Sequence, residues 1–185
     1  MNLKKQINEI IDENVRINLL VKEQCYSSIL ELVDSAKKSI KKKGKVILFG
    51  NGGSAADSQH IAAEFMGKFK NKKRFLHAIS LTTNSSILSA IGNDFGFDEV
   101  FAIQIKSLAS KNDLVIGIST SGNSINVING INEAKKIGCK TVSLTGSNGG
   151  KLAKMAEINI KIPSKDTQRI QESHILVGHM LCEFI

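Results

Sequence analysis

The segment LVIGISTSGNS, residues 114–124, decides how this chain folds. It opens with Leu114–Ile118, a continuous apolar run of strand length, and it ends in a loop of six residues, four of which carry a hydroxyl group. A helical pattern follows from Ser124 to Ile137. A strand that is apolar throughout and leads into a helix is typical of a parallel sheet covered on both faces. The segment therefore predicts one strand–loop–helix unit of an α/β fold.

The same unit recurs on both sides of this segment. We predict strands at Lys45–Phe49, His77–Leu81, Leu114–Ser119, Thr141–Leu144 and Ile158–Ile162. The helices predicted after them cover Ser54–Met66, Ser85–Ile91, Asp98–Leu108, Ser124–Ile137, Lys151–Met155 and Thr167–Phe184. Five apolar strands separated by helices predict a five-stranded parallel sheet flanked by helices.

The first 43 residues read as helix and precede the sheet. Apolar residues recur there at helical spacing: Leu3, Ile7, Ile10, Ile11 and Val15. A break is expected near Tyr26–Ser28, and Gly44 is expected to end the helical part. We therefore divide one structural unit into a helical amino-terminal arm, residues 1–44, and a sheet domain, residues 45–185. The arm has no obvious partner within the chain, so we expect it to serve oligomerisation.

Length and composition exclude several classes of protein. The chain has 185 residues, 42% hydrophobic and 23% charged, which is typical of one soluble globular domain. No apolar run approaches the ~18 residues of a membrane span, and the mixed charge of residues 1–14 is unlike a secretory signal. Three widely spaced cysteines, Cys25, Cys139 and Cys182, argue against a disulfide framework or a cysteine metal site. We expect a cytoplasmic protein with no membrane partner.

The net charge of +8 is concentrated in two basic clusters, within residues 37–45 and within residues 68–74. Such clusters can bind nucleic acid through its phosphates, or attract anionic metabolites. A simpler interpretation is a solvated helix end and a loop, since lysine is favoured at a helix C-terminus. Phe69 and Phe75 adjoin the second cluster, but the first has no aromatic residue on which bases could stack. We expect no nucleic-acid partner.

Polar loops follow three of the predicted strands, at residues 50–54, 119–124 and 145–150. In a parallel sheet these loops share the edge at which ligands bind. The glycine loop, residues 50–54, reads GNGGS and is neither a dinucleotide fingerprint nor a Walker motif. Its glycines permit close approach of a ligand to the backbone, and the alternative is a tight strand-to-helix turn.

The serine loop, residues 119–124, is suited to binding a phosphate dianion. It combines hydroxyl groups with the backbone N–H groups of a helix start, and it contains no charged residue. Plain helix capping is the alternative, but a cap needs one hydroxyl group and this loop has four.

Residues that could carry chemistry lie on two predicted helices. His60 and Glu64 are four residues apart and share a face of the helix that follows the glycine loop. On the last helix, His179 comes eight residues after Gln171 and seven after Glu172, and periodicity slightly favours Glu172 as its partner. Two imidazoles with a carboxylate and an amide can hold zinc, provided that the two helices meet.

Two further histidines have a simpler interpretation. His77 and His174 lie in apolar surroundings in the sequence. We interpret both as core residues rather than ligands.

The order of these motifs resembles a known family. The glycine loop followed by QHIAAE at residues 59–64 resembles the start of the sugar isomerase (SIS) domain of bacterial phosphoheptose isomerases. GNDFGF at 92–97, GISTSGNS at 117–124, and LTG at 144–146 with Gly149 and Gly150 are similar to its later signatures. RIQE at 169–172 with His174 and His179 is similar to its final helix. The serine loop alone is shared by many phosphosugar-binding domains, whereas the ordered combination, which covers essentially the whole chain, is much more specific.

The resemblance implies a single SIS domain with a flavodoxin-like sheet. It implies conversion of D-sedoheptulose 7-phosphate to D-glycero-D-manno-heptose 7-phosphate, an aldose–ketose isomerisation through an enediol that begins bacterial heptose biosynthesis for lipopolysaccharide or capsule. It also implies a homotetramer whose sites are shared between neighbouring subunits.

The resemblance further assigns site residues. It implies one zinc ion per subunit, held by His60, Glu64, Gln171 and His179, which favours Gln171 over Glu172. It implies substrate contacts at Asn51, Gly52, Gly53, Ser54, Glu64, Asn93, Asp94, Ser119, Thr120, Ser121, Ser124 and Gln171. The family varies just before RIQ, and Gln168 is larger than the usual small residue there, which leaves open whether Asp166 reaches the site.

Aldose–ketose exchange needs a base that removes a proton from the carbon next to the carbonyl and returns it to the neighbouring carbon. Glu64 is the predicted base, and His179 is the predicted acid that moves the oxygen proton. Zinc would polarise the carbonyl group. The serine loop would hold the distal phosphate and thereby fix the reacting carbons.

Two other classes of protein remain to be weighed. A non-catalytic SIS protein that binds a replication-initiator protein shares the glycine and serine loops but lacks equivalents of Glu64 and His179, both of which are present here. A phosphosugar-sensing regulator would carry a DNA-binding helix-turn-helix domain, for which 185 residues leave no room. The enzyme is therefore favoured.

Overall fold

The computed structural model describes residues 2–69, 72–73 and 75–185. The strands are β1 Val46–Gly50, β2 Lys68–Phe69, β3 Lys72–Lys73, β4 Ala78–Ser80, β5 Leu114–Ser119, β6 Lys140–Thr145 and β7 Ile158–Lys161. The α-helices are α1 Leu3–Gln24, α2 Tyr26–Lys41, α3 Gly53–Met66, α4 Ser85–Asp94, α5 Ala102–Leu108, α6 Ile125–Ile137, α7 Leu152–Met155 and α8 Thr167–Phe184. The side chains of residues 68–74, and with them the second basic cluster, lie outside the described part.

A five-stranded sheet with every strand parallel forms the centre of the molecule. Its order is β4–β1–β5–β6–β7, with Val46 opposite Leu114 and Val142 opposite Ile158. Strands β4 and β5 flank β1, so the strand order reverses between β1 and β5, as in flavodoxin-like folds. The predicted five-stranded parallel α/β sheet is confirmed.

Successive side chains along each strand point to opposite faces of the sheet, and this divides the core into two layers. Val46 and Leu48 of β1 pack into the layer formed with α1, α2, α3 and α8, whereas Ile47 and Phe49 pack into the layer formed with α5, α6 and α7. All five residues of β1 are buried, as expected of a strand covered on both faces. This accounts for the continuous apolar runs in the sequence.

Most predicted boundaries agree with the structure within about three residues, and one predicted helix begins later than expected. The helix predicted at Asp98–Leu108 is a 3-10 turn, Phe97–Glu99, followed by α5. Between the two, Val100 and Phe101 are 0% and 2% exposed. The chain bends there to bury both side chains, and the Phe101 ring lies 4.9 Å from that of Phe49.

The arm is a helix pair broken at Cys25, one residue before the region where a break was expected. Helix α2 buries Leu32 in the core, and the second half of α1 buries Ile17. The prediction that the arm has no partner within the chain is therefore wrong for this portion, because α2 and the end of α1 complete one layer of the core. The other face of α1 is different, since Ile10 and Leu19 are 53% and 57% exposed.

Two further predictions concern the surface. Lys38 and Lys41 lie in the last turn of α2, which agrees with the interpretation of the first basic cluster as a helix end. Within the described ranges, no helix is long and apolar enough to cross a membrane.

Candidate active site

The glycine loop and the serine loop lie on either side of the point where the strand order reverses. Asn51 of the glycine loop and Asn126 of α6 join them through two hydrogen bonds, in which each side-chain amide donates to the other's oxygen at 2.9 and 3.0 Å. Asn126 Oδ1 also accepts from the Val127 backbone N–H at 2.9 Å. Asn126 was missed from sequence because a single polar residue in an amphipathic helix gives no signal. The pair fixes the spacing of the two loops.

Gly53, the first residue of α3, contacts the side chain of Gln171 on α8. A Cβ atom at position 53 would lie 2.9 Å from Gln171 Oε1 and closer still to its Nε2, so a larger residue there would displace the Gln171 amide. Glu172 is engaged elsewhere, since its carboxylate accepts from Asn14 Nδ2 and from Arg169 Nη2, both at 2.6 Å. The structure therefore places Gln171, and not the Glu172 that periodicity favoured, beside the glycine loop.

Helices α3 and α8 pack side by side and bring three predicted residues together. His60 Nε2 lies 3.4 Å from Glu64 Oε1 and 3.5 Å from His179 Nε2. The two imidazole rings meet edge to face, with their centroids 5.0 Å apart. The side chains of His60 and Glu64 are 48% and 27% exposed, so a ligand can reach them.

The close approach of these helices depends on a glycine. A Cβ atom at Gly178 would lie 2.5 Å from Ile61 Cδ1. A larger residue at position 178 would push α8 away from α3 and separate the imidazoles of His60 and His179.

These donors match part of a zinc site. Tetrahedral zinc, with bonds of about 2.0–2.2 Å, holds its donor atoms about 3.3–3.5 Å apart, and both pairs that share His60 have this spacing. Across the ranges that the structure describes, no three His, Cys, Asp or Glu side chains form by themselves a group that could hold a metal ion. A complete site therefore needs another donor, such as the Gln171 amide, and a small adjustment of side chains.

The hydroxyl groups of the serine loop cluster together. Ser119 Oγ lies 3.4 Å from Ser121 Oγ and 3.0 Å from Ser124 Oγ. Ser124 directly precedes α6, yet its side chain makes no capping hydrogen bond. Gly122 adopts a φ of +66°, and its backbone packs against that of Gly149 so closely that no Cβ atom fits. Capping does not account for the hydroxyl cluster, and this favours anion binding.

The structure shows which contacts Asp166 makes within one chain. Its side chain caps α8 by accepting from the Gln168 backbone N–H at 2.9 Å. It also lines a groove against the arm, together with Leu3 and Arg169. Asp166 is thus used at the helix start and faces the arm rather than the serine loop.

Asn93 and Asp94 stand apart from these groups. They end α4 as exposed residues, and Asn93 Nδ2 donates to Asp94 Oδ1 at 2.8 Å. In the described part of the chain, this is the one hydrogen bond that joins Asn93 or Asp94 to a predicted site residue. The adjacent Phe95 and Phe97 are 65% and 60% exposed.

Asp57 is an acid near the site that the sequence did not single out. It lies on α3, three residues before His60. Burial raises the pKa of its carboxyl group to about 6, against an opposing effect of His60. Its buried Oδ2 atom has no hydrogen-bond partner among the described residues.

The two histidines assigned to the core differ. His174 is fully buried on α8 and its Nε2 lies 3.2 Å from the Thr145 carbonyl oxygen, to which it donates, so this prediction is confirmed. Burial lowers the pKa of His174 to about 4. His77 is exposed, since it precedes the edge strand β4, and for this residue the prediction is wrong.

Comparison with known proteins adds to this geometry. The model of the SIS domain matches residues 11–146. The phosphoheptose isomerase of Aquifex aeolicus is 47% identical over 181 residues, covering 98% of this chain and 95% of that protein. The phosphoheptose isomerase of Aliarcobacter butzleri is 55% identical over 150 residues, covering 81% of this chain and 79% of that protein.

Solved structures agree with the sequence relatives. The phosphoheptose isomerase of Neisseria gonorrhoeae superimposes with a TM-score of 0.93 at 38% identity, covering 98% of this chain and 97% of that one. That of Francisella tularensis gives a TM-score of 0.95 at 30% identity, covering 100% and 98%. These relatives are named as enzymes and do not support a non-catalytic SIS protein that binds a replication initiator. On the motifs, the fold and these comparisons, the chain belongs to the phosphoheptose isomerase family of SIS-domain proteins.

Proposed function

We propose that the protein converts D-sedoheptulose 7-phosphate to D-glycero-D-manno-heptose 7-phosphate in the cytoplasm. The observation that carries the proposal is the meeting of α3 and α8, which sets the Glu64 carboxylate and the His179 imidazole on either side of His60. The serine loop follows β5, the strand next to β1, and provides clustered hydroxyls for a phosphate. A phosphorylated seven-carbon sugar has the phosphate and the carbonyl that these two regions would receive.

Glu64 acts as the base. Its carboxylate takes a proton from C1 of the ketose, the C1–C2 enediolate forms, and the resulting carboxyl group delivers a proton to C2 to give the aldose. His179 assists by moving the proton between the two oxygens. The serine loop, with Asn51, Gly52, Gly53 and Ser54, holds the substrate so that these carbons stay within reach of Glu64.

Zinc is the metal that the donors fit, and His60, Glu64, Gln171 and His179 would hold it. When bound, it would polarise the carbonyl group and stabilise the enediolate charge. His179 cannot supply a proton from Nε2 while that nitrogen binds a metal ion, so its two roles compete. The competition makes a measured zinc content essential to any kinetic test of His179.

The direct test is a coupled assay that follows heptose 7-phosphate formation from sedoheptulose 7-phosphate. In D2O, solvent deuterium should enter the product at C2, because the proton held on the partly exposed Glu64 carboxyl group exchanges with solvent before it is delivered. Sedoheptulose without its phosphate is the control substrate and should react far more slowly. No conversion of the phosphorylated ketose by zinc-loaded protein would refute the proposal.

The metal is tested by removal. Chelation should abolish activity, and zinc added back should restore it, with elemental analysis giving about one zinc per chain. The His60→Ala variant should retain less zinc than the native protein after the same dialysis. Full activity in protein shown to be metal-free would refute the zinc proposal.

We further propose that the protein works as a homotetramer with shared sites. Two observations support it: the outward face of α1 is apolar, and Asn93 and Asp94 lie apart from the other site residues beside exposed phenylalanines. A second copy that covers these surfaces would bury apolar area and complete the site. Light scattering at micromolar concentration should give the mass of about four chains, and a fully active monomer would exclude the tetramer.

A further inference from the structure

A cavity of about 210 Å³ lies beside the serine loop, between the loops that follow β5, β6 and β7. Five of its lining residues carry hydroxyl groups: Thr120, Ser121, Ser147, Ser164 and Thr167. Lys165 also lines it and is the one charged residue among the described lining residues. Hydroxyl donors with a single ammonium group suit an anion rich in oxygen, such as a phosphate ester.

The cavity is continuous with the hydroxyl cluster of the serine loop. Ser121 belongs to both, since it lines the cavity and its Oγ lies 3.4 Å from Ser119 Oγ. The serine loop supplies hydroxyls and backbone N–H groups but no positive charge. Only the dipoles of these hydroxyl and N–H groups would stabilise the charge of a phosphate dianion bound there, unless a cationic side chain lies nearby.

The loop that carries Lys165 is held on both sides. The Ser147 backbone N–H donates to the Ser164 carbonyl at 3.0 Å, and Ser164 Oγ accepts from the Asp166 N–H at 3.1 Å. The Asp166 carboxylate caps α8 and is not used to neutralise Lys165. Within the described part of the chain, Lys165 forms no salt bridge. A backbone held by hydrogen bonds thus carries a lysine that lines the cavity and forms no salt bridge within the described ranges.

We propose that Lys165 is a phosphate-binding residue, whose ammonium group pairs with the phosphate of the sugar substrate while the serine loop donates its hydroxyls and N–H groups. The proposal rests on the proposed function in so far as the ligand is a phosphosugar. It extends the substrate site from the serine loop to the segment between β7 and α8. Lys165 touches the end of the substrate that does not react, so it sets affinity rather than the rate of proton transfer.

The test compares Lys165→Gln with Lys165→Arg and with Lys111→Gln as the matched control. Lys111 is an exposed lysine that precedes β5, at the opposite end of the sheet. Inorganic phosphate is the probe, and calorimetry measures its Kd for the native protein. Lys165→Gln should weaken phosphate binding about tenfold, the usual scale for losing a hydrogen bond between charged groups, and should reduce its dependence on salt. Lys165→Arg should remain within about threefold of the native Kd, and Lys111→Gln should not change it.

Kinetics provide the second measurement. In Lys165→Gln, KM for sedoheptulose 7-phosphate should rise about tenfold with kcat within about twofold. An unchanged Kd in Lys165→Gln, an equal loss in Lys111→Gln, or a fall in kcat without a rise in KM would each overturn the proposal. Phosphate binding that depends on Lys165 in a protein without isomerase activity would uphold the anion site and refute the proposed function. If the protein is an active isomerase but Lys165→Gln binds phosphate with the native Kd, the proposed function is upheld and the role of Lys165 is refuted.

Discussion

The two edges of the central sheet are held by different chemistry. At the carboxyl edge, neutral groups join the loops, as in the Asn51–Asn126 amide pair. At the amino edge, the charged side chain of Asp113 joins the loops. Asp113 accepts from the Lys45 backbone N–H at 2.9 Å, from Lys45 Nζ at 2.6 Å and from the Ser110 N–H at 2.7 Å.

The difference shows which edge is available for a ligand. At the amino edge the Asp113 carboxylate is 1% exposed and its charge is used within the fold. At the carboxyl edge the serine loop carries no charge, and the Ser119 hydroxyl group contacts the hydroxyl groups of Ser121 and Ser124 rather than a buried ion. Substitutions at the carboxyl edge should therefore change activity, and substitutions at the amino edge should change stability.

The largest expected effect belongs to the carboxyl edge. Glu64→Gln keeps the size of the side chain but removes its basicity, so kcat should fall by ~10²-fold or more, the scale of general-base catalysis. Phosphate binding and the melting temperature should change little, because the serine loop and the core are untouched. Zinc content must be measured alongside kcat, and a zinc-loaded variant with near-native turnover would show that the base lies elsewhere.

At the amino edge, Asp113→Ala should lower the free energy of unfolding by about 3 kcal/mol, because it leaves two backbone N–H groups and the Lys45 ammonium without their acceptor. Asp113→Asn retains an acceptor oxygen and should lose less. Calorimetry at fixed protein concentration measures the change. Activity per folded molecule should be preserved, and a specific loss of turnover in Asp113→Ala would contradict the division between the edges.

The buried His174 should make stability depend on pH. Its pKa is lowered by burial from 6.5 to about 4 in the folded state. Its contribution to stability is fully present above pH ~6.5, declines as the pH falls below that value, and is lost once the pH passes the folded pKa. Between pH 7.5 and pH 5 the loss should be about 2 kcal/mol. A His174→Gln variant does not titrate in this range, so it should show a correspondingly shallower decline on acidification.

The smallest expected effect lies in the turn after α2. Lys43 adopts a φ of +59°, in the left-handed region that disfavours a residue with a side chain. Lys43→Gly should raise the free energy of unfolding by about 0.5–1 kcal/mol and leave kcat unchanged. Lys42→Gly, at a φ of −88°, is the matched control and should bring no gain. Equal effects of the two substitutions would mean that backbone strain at Lys43 is not released.

Much of the sheet could be predicted because its signals are local. An apolar strand such as Leu114–Ser119 followed by a helix identifies its own place in a parallel sheet, and His60 and Glu64 share a helix face by spacing alone. The loops at the carboxyl edge follow from the same alternation.

The rest depends on contacts between distant segments. Periodicity favoured Glu172, but Asn14 of the arm engages its carboxylate across 158 positions, and no local pattern reports such a contact. His77 looked like a core residue because its neighbours are apolar, yet β4 is an edge strand and leaves it exposed. A role for Lys165 could not be predicted from sequence, because the cavity that it lines is formed by three loops that are separate in the chain.

Helix α8 touches the arm on one side and the glycine loop on the other. Asn14 and Arg169 both donate hydrogen bonds to Glu172. The preceding residue, Gln171, contacts Gly53. Assembly through α1 would therefore influence Gln171, the proposed zinc ligand, which is the residue before Glu172. The specific activity of such an enzyme should depend on the concentration of the enzyme. It should fall on dilution below the dissociation constant of the assembly, because Gln171 would move away from Gly53 while the rest of the chain stays folded.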